Sequence, residues 1–247
     1  VSDAVVKSFE EANNAKISFL KSGDAGAALN QAILTKDAPL ADVFFGVDNT
    51  FLGLALESKI FDAYQSPMLK DIPTEFKLDS ANRALPVDYG DVCINYDKKY
   101  FAENNLPIPQ TFEDLAKPEY KGLLVVENPA TSSPGLAFLL ATQANFGEDG
   151  YLDYWKSLKA NGVVVVDAWE TAYYTNFSAS SGKGPQPMVV SYASSPAAEV
   201  FFASEPMTES PIGSIVASGM CFRPIEFVGI LKGTPNRALA EKFVDFM

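Results

Sequence analysis
Residues 128–135 read Asn-Pro-Ala-Thr-Ser-Ser-Pro-Gly and set three hydroxyls, Thr131, Ser132 and Ser133, between two apolar runs. The run at 122–127 has the pattern of a buried strand, and the run at 136–146 that of a helix. Ser133 stands where a helix N-cap belongs, and Pro134 follows at a position where its missing N–H costs nothing. Hydroxyls gathered at a helix start lie beside backbone N–H groups that have no partner inside the helix. Such a place suits a phosphate, a carboxylate or the polar edge of a ligand. The same residues also serve as plain caps of a buried helix, and this stretch alone does not decide between the two.

Three other strand ends run into helices through a polar or aromatic elbow. They are Asp48-Asn49, Asp167-Ala168-Trp169 and Ser191-Tyr192-Ala193-Ser194-Ser195. Ligands of open α/β sheets bind outside the carboxyl ends of the strands. Together the elbows offer one carboxylate, several hydroxyls and aromatic faces. That set suits a small organic cation with a polar or anionic tail: rings stack on Trp169 and Tyr192, and Asp48 balances the charge. Each residue also has a structural reading. Asp48 can be a helix cap and Trp169 a core residue. Tyr173 and Tyr174 are adjacent on a helix, so at most one of them faces a ligand.

The elements that position these residues alternate. Strands are predicted at 15–20, 41–47, 84–97, 122–127, 163–166 and 188–190. Helices are predicted at 25–34, 51–59, 98–104, 112–116, 136–146, 150–160 and 170–177, with Thr111 capping the fourth. A serine- and glycine-rich loop covers 178–186. Strand–helix alternation predicts βαβ units and a largely parallel sheet.

Composition removes several chemistries. The 247 residues include no histidine, which excludes Ser-His-Asp, Cys-His and histidine-metal sites. The formal net charge of −12 argues against nucleic acid as a partner, because phosphate neutralisation needs basic patches. Two cysteines, Cys93 and Cys221, are too few for a zinc cluster or a disulfide framework. No apolar run approaches the roughly 20 residues of a membrane span, and no signal peptide is visible. The sequence opens and closes inside helical patterns, so both ends are expected to be trimmed.

Across most of the chain the residues resemble bacterial ABC-transporter solute-binding proteins of the thiamine-binding branch, related to iron(III)- and polyamine-binding proteins. The resemblance rests on Gly46-Val47-Asp48-Asn49, Pro86-Val87-Asp88-Tyr89-Gly90, Asn128 to Gly135, Trp169-Glu170-Thr171-Ala172-Tyr173 and Ser191 to Pro196. The Thr-Ser-Ser-Pro-Gly and Ser-Tyr-x-Ser-Ser-Pro elements are its more specific parts. It implies an α/β, two-lobed, type II-like periplasmic-binding-protein fold with crossing hinge strands and an interlobe ligand cleft. The lobes would be 1–88 with 222–247, and 89–221. Residues 84–97 would make one crossing, and 213–231 would contain the return.

The resemblance implies thiamine or a thiamine phosphate as ligand, with no cofactor, no metal and no catalytic residue. Asp48 would face the ligand, Ser132, Ser133 and Gly135 would hold the tail, and Trp169 and Tyr192 would pack on the rings, with Thr131, Tyr173 and Ser194 beside them. It further implies a monomer in the periplasm or another extracytoplasmic place, with a cell-surface lipoprotein as the open alternative, delivering its ligand to an ABC permease. Relatives usually carry an extra strand with an aromatic residue before the first helix and another ligand-facing tryptophan after the last, and this sequence shows neither. Ala168 stands where glycine is more usual. Both cysteines fall on the candidate crossings, so a Cys93–Cys221 bridge is expected if those strands pair. The rivals are iron(III), a polyamine or an anion in the same fold, and a serine-nucleophile enzyme with Lys183 as base. A pure interaction module is the third.

Overall fold
The computed structural model describes residues 3–179 and 183–247. The chain opens with α1 (Asp3–Asn13), α2 (Ala25–Leu34), β1 (Val43–Asp48), α3 (Leu52–Glu57), β2 (Phe61–Asp62) and β3 (Leu85–Tyr89). Next come β4 (Val92–Asp97), α4 (Lys98–Glu103), α5 (Phe112–Leu115), β5 (Leu124–Glu127), α6 (Ser133–Ala160) and β6 (Val164–Val166). The remainder is α7 (Trp169–Thr171), β7 (Met188–Tyr192), α8 (Ser195–Phe201), β8 (Ile212–Ile215), β9 (Ile225–Leu231) and α9 (Arg237–Phe246). The chain divides into two compact units, Val1–Asp88 with Ile225–Met247, and Tyr89–Pro224.

In the first unit β9 lies between β1 and β2, antiparallel to both, and β3 also pairs with it. The run Phe227–Leu231 is apolar apart from Gly229 and fully buried, as a strand covered on both faces should be. Val228 and Ile230 share a core with Leu85 and with Ala240 and Val244 of α9. Phe9 of α1 packs its ring 5.2 Å from those of Phe243 and Phe246, so the first and last helices close over each other.

The second unit holds five strands in the order β6-β5-β7-β4-β8. β6, β5 and β7 are parallel, whereas β4 runs antiparallel to β7 and β8. Val125, Val126, Val189, Val190 and Ile94 are essentially inaccessible to solvent, which fits a sheet with both faces packed. Thr111 caps α5 in a reciprocal capping box with Asp114. A disulfide joins Cys93 on β4 to Cys221 in the segment between β8 and β9, with Cα atoms 4.5 Å apart.

Three sequence expectations need correction. Residues 15–20 form no strand. Phe19 and Leu20 are exposed, and the alternation finds no neighbouring strand to pair with. The predicted extended run 84–97 breaks into β3 and β4 around Gly90 and Asp91. The sheets are mixed rather than largely parallel: β6-β5-β7 pair in parallel, whereas β9 arrives from the far end of the chain and pairs antiparallel with β1 and β2.

The helices predicted at 136–146 and 150–160 are the two arms of α6, joined at Gly147, whose φ of 73° is open to glycine at no steric cost. The arms fold back on each other. The Trp155 indole N–H donates to Thr142 Oγ1 at 2.9 Å, and the Phe146 and Tyr154 rings stack at 4.4 Å. Burial pushes the Tyr154 hydroxyl far above its usual pKa. Of the predicted loop 178–186, residues 180–182 lie outside the described residues.

Candidate functional site
The second unit gathers three of the four elbows. β5, β6 and β7 are parallel neighbours, so their carboxyl ends open on the same edge of the sheet. The elbows are also bonded to one another. Thr131 Oγ1 donates to the Asp167 carbonyl at 2.7 Å, and Asn128 Nδ2 donates to Asp167 Oδ1 at 3.1 Å. The Trp169 indole N–H donates to Ser191 Oγ at 2.9 Å, and Ser191 Oγ lies 3.1 Å from Ser195 Oγ. Asn95 of β4 donates to the Tyr192 carbonyl and to Ser214 Oγ, both at 3.1 Å, and so fixes the end of β7 from the neighbouring strand.

At the 128–135 elbow Ser132 is the N-cap residue and α6 begins at Ser133, one residue earlier than its spacing predicts. Neither serine caps with its side chain. Both hydroxyls are buried and make no hydrogen bond among the described residues. An unmade hydrogen bond on a buried polar group costs about 1–3 kcal/mol. Ordinary capping would have used these hydroxyls on the first N–H groups of α6, and it does not. Gly135 presses on the end of β5: a Cβ there would collide with the Glu127 carbonyl. The helix start can sit this close to the strand only without a side chain at 135.

The aromatic residues divide by exposure. Tyr173 is buried, stacks on Trp169 with centroids 5.0 Å apart, and donates from its hydroxyl to Glu199 Oε1 at 2.7 Å. Tyr174 is exposed and meets Trp169 edge-on at 5.5 Å. Trp169 and Tyr192 are half-buried, with centroids 6.4 Å apart. Tyr192 packs against Gly90, and Ser194 is exposed at the N-cap of α8.

Asp48 belongs to the first unit, at the end of β1. Its side chain is 1% exposed, and Oδ1 accepts from the Thr50 N–H at 2.8 Å, from the Thr50 hydroxyl, and from the Phe51 N–H at 3.4 Å. Asp48 thus organises the turn into α3. In register it faces Glu226 on β9. Burial pushes the Glu226 carboxyl up to about 7, and the charges of Asp88 and Asp48 push the same way. Burial also raises Asp88 above the usual carboxylate range. The first unit therefore carries three carboxylates near strand termini, with Asp48 buried, Glu226 half-buried and Asp88 exposed.

The family follows from this architecture: the chain belongs to the bacterial extracellular solute-binding proteins, whose family model matches residues 38–247. Among curated relatives it is similar to the thiamine-binding periplasmic protein of Salmonella typhimurium, at 28% identity over 99% of this chain and 70% of that protein. A solved periplasmic thiamin binding protein superposes with a TM-score of 0.80 at 24% identity, covering 98% of this chain and 72% of that one. A periplasmic binding protein of Actinobacillus pleuropneumoniae, solved with fructose-6-phosphate, superposes at 0.84 with 23% identity, over 99% of this chain and 76% of that one. At these identities the two structures establish the fold alone.

Sequence reasoning missed Ser191 as the partner of the Trp169 indole, and it missed Glu226. Residues from distant parts of the chain make both contacts, so nothing local marks them. Glu199 was accessible to inference: it lies one helical turn beyond Ser195 and shares the face of that residue.

Proposed function
We propose that this chain is the extracytoplasmic receptor of an ABC importer and that it binds thiamine or a thiamine phosphate for delivery to a membrane permease. The observation that carries this reading is the pair of buried hydroxyls, Ser132 and Ser133, without partners among the described residues at the start of α6. They lie on the same sheet edge as the Trp169–Tyr192 aromatic pair. A helix start with spare hydroxyls and N–H groups suits an alcohol or phosphate tail, and the half-buried rings suit a flat heterocycle. Thr131 and Gly135 hold this elbow in place, and Ser194 supplies a further hydroxyl at the next one. Asp48 is the carboxylate we propose to balance the positive charge of the ligand. The names of the curated relatives support the choice of ligand, and the periplasm is the compartment that goes with them.

Calorimetry with thiamine, thiamine monophosphate and thiamine pyrophosphate tests the reading. Binding of at least one is expected, and Ser132→Ala should weaken the phosphorylated form by about fivefold, the value of one hydrogen bond near 1 kcal/mol. If none of the three binds, the thiamine reading is wrong.

A further inference from the structure
The cystine of the second unit stands in a row of side chains that ends at the aromatic elbow. Val92 of β4 and Phe222 exchange backbone hydrogen bonds in both directions, at 2.8 and 2.9 Å. The next pair along these antiparallel neighbours is Cys93 opposite Cys221. Its Cα separation of 4.5 Å is that of a pair without ladder hydrogen bonds, where side chains come closest. On its other side β4 pairs with β7, and there Cys93 faces Ser191. Cross-strand partners stand on the same face of a sheet. Cys221, Cys93 and Ser191 therefore form one row across three neighbouring backbones. Cys93 and Ser191 are buried, and Ser191 Oγ accepts from the Trp169 indole and lies against Ser195 Oγ. The opposite face repeats the arrangement, with Val92 between Phe222 and Tyr192. One residue further, the Asp91 carbonyl accepts from the Ala193 N–H at 2.8 Å, and its carboxylate accepts from the Arg223 guanidinium at 2.8 and 2.9 Å. The start of β4 is thus clamped between the strand end that carries Ser191 and Tyr192 and the segment that carries Cys221, with the cystine as its covalent rivet.

We propose that the Cys93–Cys221 bridge positions the Trp169 elbow through Ser191, so that the grip on the ligand depends on the bridge being closed. The assignment rests on the receptor reading and adds a redox state to it. Reduction breaks the S–S bond and forms two thiols. A dithiol reductant supplies the two electrons and two protons and closes to its own disulfide. Cys221 is part-exposed, so a thiolate reaches the bridge from that side. Sulfurs that are no longer bonded must part to contact distance, and in a close-packed interior the neighbours take up the displacement. Ser191 is the neighbour in the same row. A receptor built this way grips in an oxidising compartment and slackens in a reducing one.

The test compares the oxidised protein with the same protein reduced by dithiothreitol, below its melting temperature. Thiamine is the probe in calorimetry, and the indole N–H resonances of Trp155 and Trp169 are the spectroscopic readout. Trp155 is the internal control, since its N–H donates to Thr142 between the arms of α6. Reduction should weaken thiamine binding at least about fivefold. It should move the Trp169 resonance and leave that of Trp155 in place, and re-oxidation should restore both affinity and resonance. In Ser191→Ala the indole loses its acceptor, and reduction should then change the affinity by less than about twofold. Equal thiamine affinity in the two redox states would leave the receptor reading standing and overturn the coupling. A reduced protein in which both indole resonances shift together has lost its fold rather than its elbow, and would also overturn it. Failure of the oxidised protein to bind thiamine would refute the thiamine reading and, with it, the dependence of grip on the bridge; a Trp169 resonance that still moves alone on reduction would uphold the positioning, and one that stays would end it.

Discussion
The two units solve different electrostatic problems. The second unit ends three parallel strands in hydroxyls, amides and aromatic rings, and its elbows are cross-linked by hydrogen bonds between neutral groups or to a single exposed aspartate. The first unit sets Asp48 at the end of β1, Asp88 near the end of β3 and Glu226 near the start of β9; burial raises the carboxyls of Glu226 and Asp88, and at Glu226 the charges of Asp88 and Asp48 push the same way. The contrast separates two tasks. A neutral, well-bonded elbow fixes geometry at little electrostatic cost, whereas a buried acidic corner holds unfavourable energy that a cation can relieve.

The units also differ in covalent support, and here the largest effect is expected. The Cys93–Cys221 bridge closes a sequence span of 128 residues within the second unit. In the chain-entropy model a loop of that size is worth about 4–5 kcal/mol. Cys93→Ala with Cys221→Ala should lower the calorimetric transition of the second unit and leave that of the first unchanged. Equal shifts in both would break the assignment of the bridge to one unit.

The next effect belongs to the first unit. A carboxyl whose folded pKa is raised from 4.5 to about 7 favours the folded state while it is protonated. Its contribution is full below pH 4.5 and is lost as pH rises through about 7. The shift corresponds to about 3 kcal/mol. Glu226→Gln should therefore stabilise the first unit at pH 8 and have little effect at pH 4, as read from denaturant midpoints at the two values. A pH-independent effect would remove Glu226 from the acidic corner.

Gly135→Ala probes the neutral elbow. The collision with the Glu127 carbonyl should cost about 1–3 kcal/mol and displace the start of α6, with weaker binding of phosphorylated ligand as the second readout. Asp48→Asn is the sharpest test of the acidic corner, because an amide oxygen can still accept from Thr50 and Phe51. Thiamine affinity should fall about tenfold, or 1.4 kcal/mol, with the melting temperature nearly unchanged. If the affinity holds, Asp48 serves the turn alone.

Much of the second unit was legible in the sequence because its signals are local. The strand at β5, the proline at a helix start, the Thr111 cap and the elbow motifs all lie within a few residues of what they organise. The first unit was less legible because its sheet is assembled from distant pieces: β9 lies between β1 and β2, which it follows by well over a hundred residues. Period-two alternation at 15–20 misled for the same reason, since alternation describes a face and not a partner. Ser132 and Ser133 were recognised by type, but their lack of hydrogen-bond partners among the described residues is a property of packing that no pattern of letters contains.

The cystine has one further consequence. It ties the fourth residue after the second unit begins to the third before that unit ends, so nearly all of that unit is a covalent ring with two short tails. A protease that cuts one peptide bond inside the ring opens the circle without freeing either piece, and a single nick leaves the mass unchanged on a non-reducing gel until thiol is added.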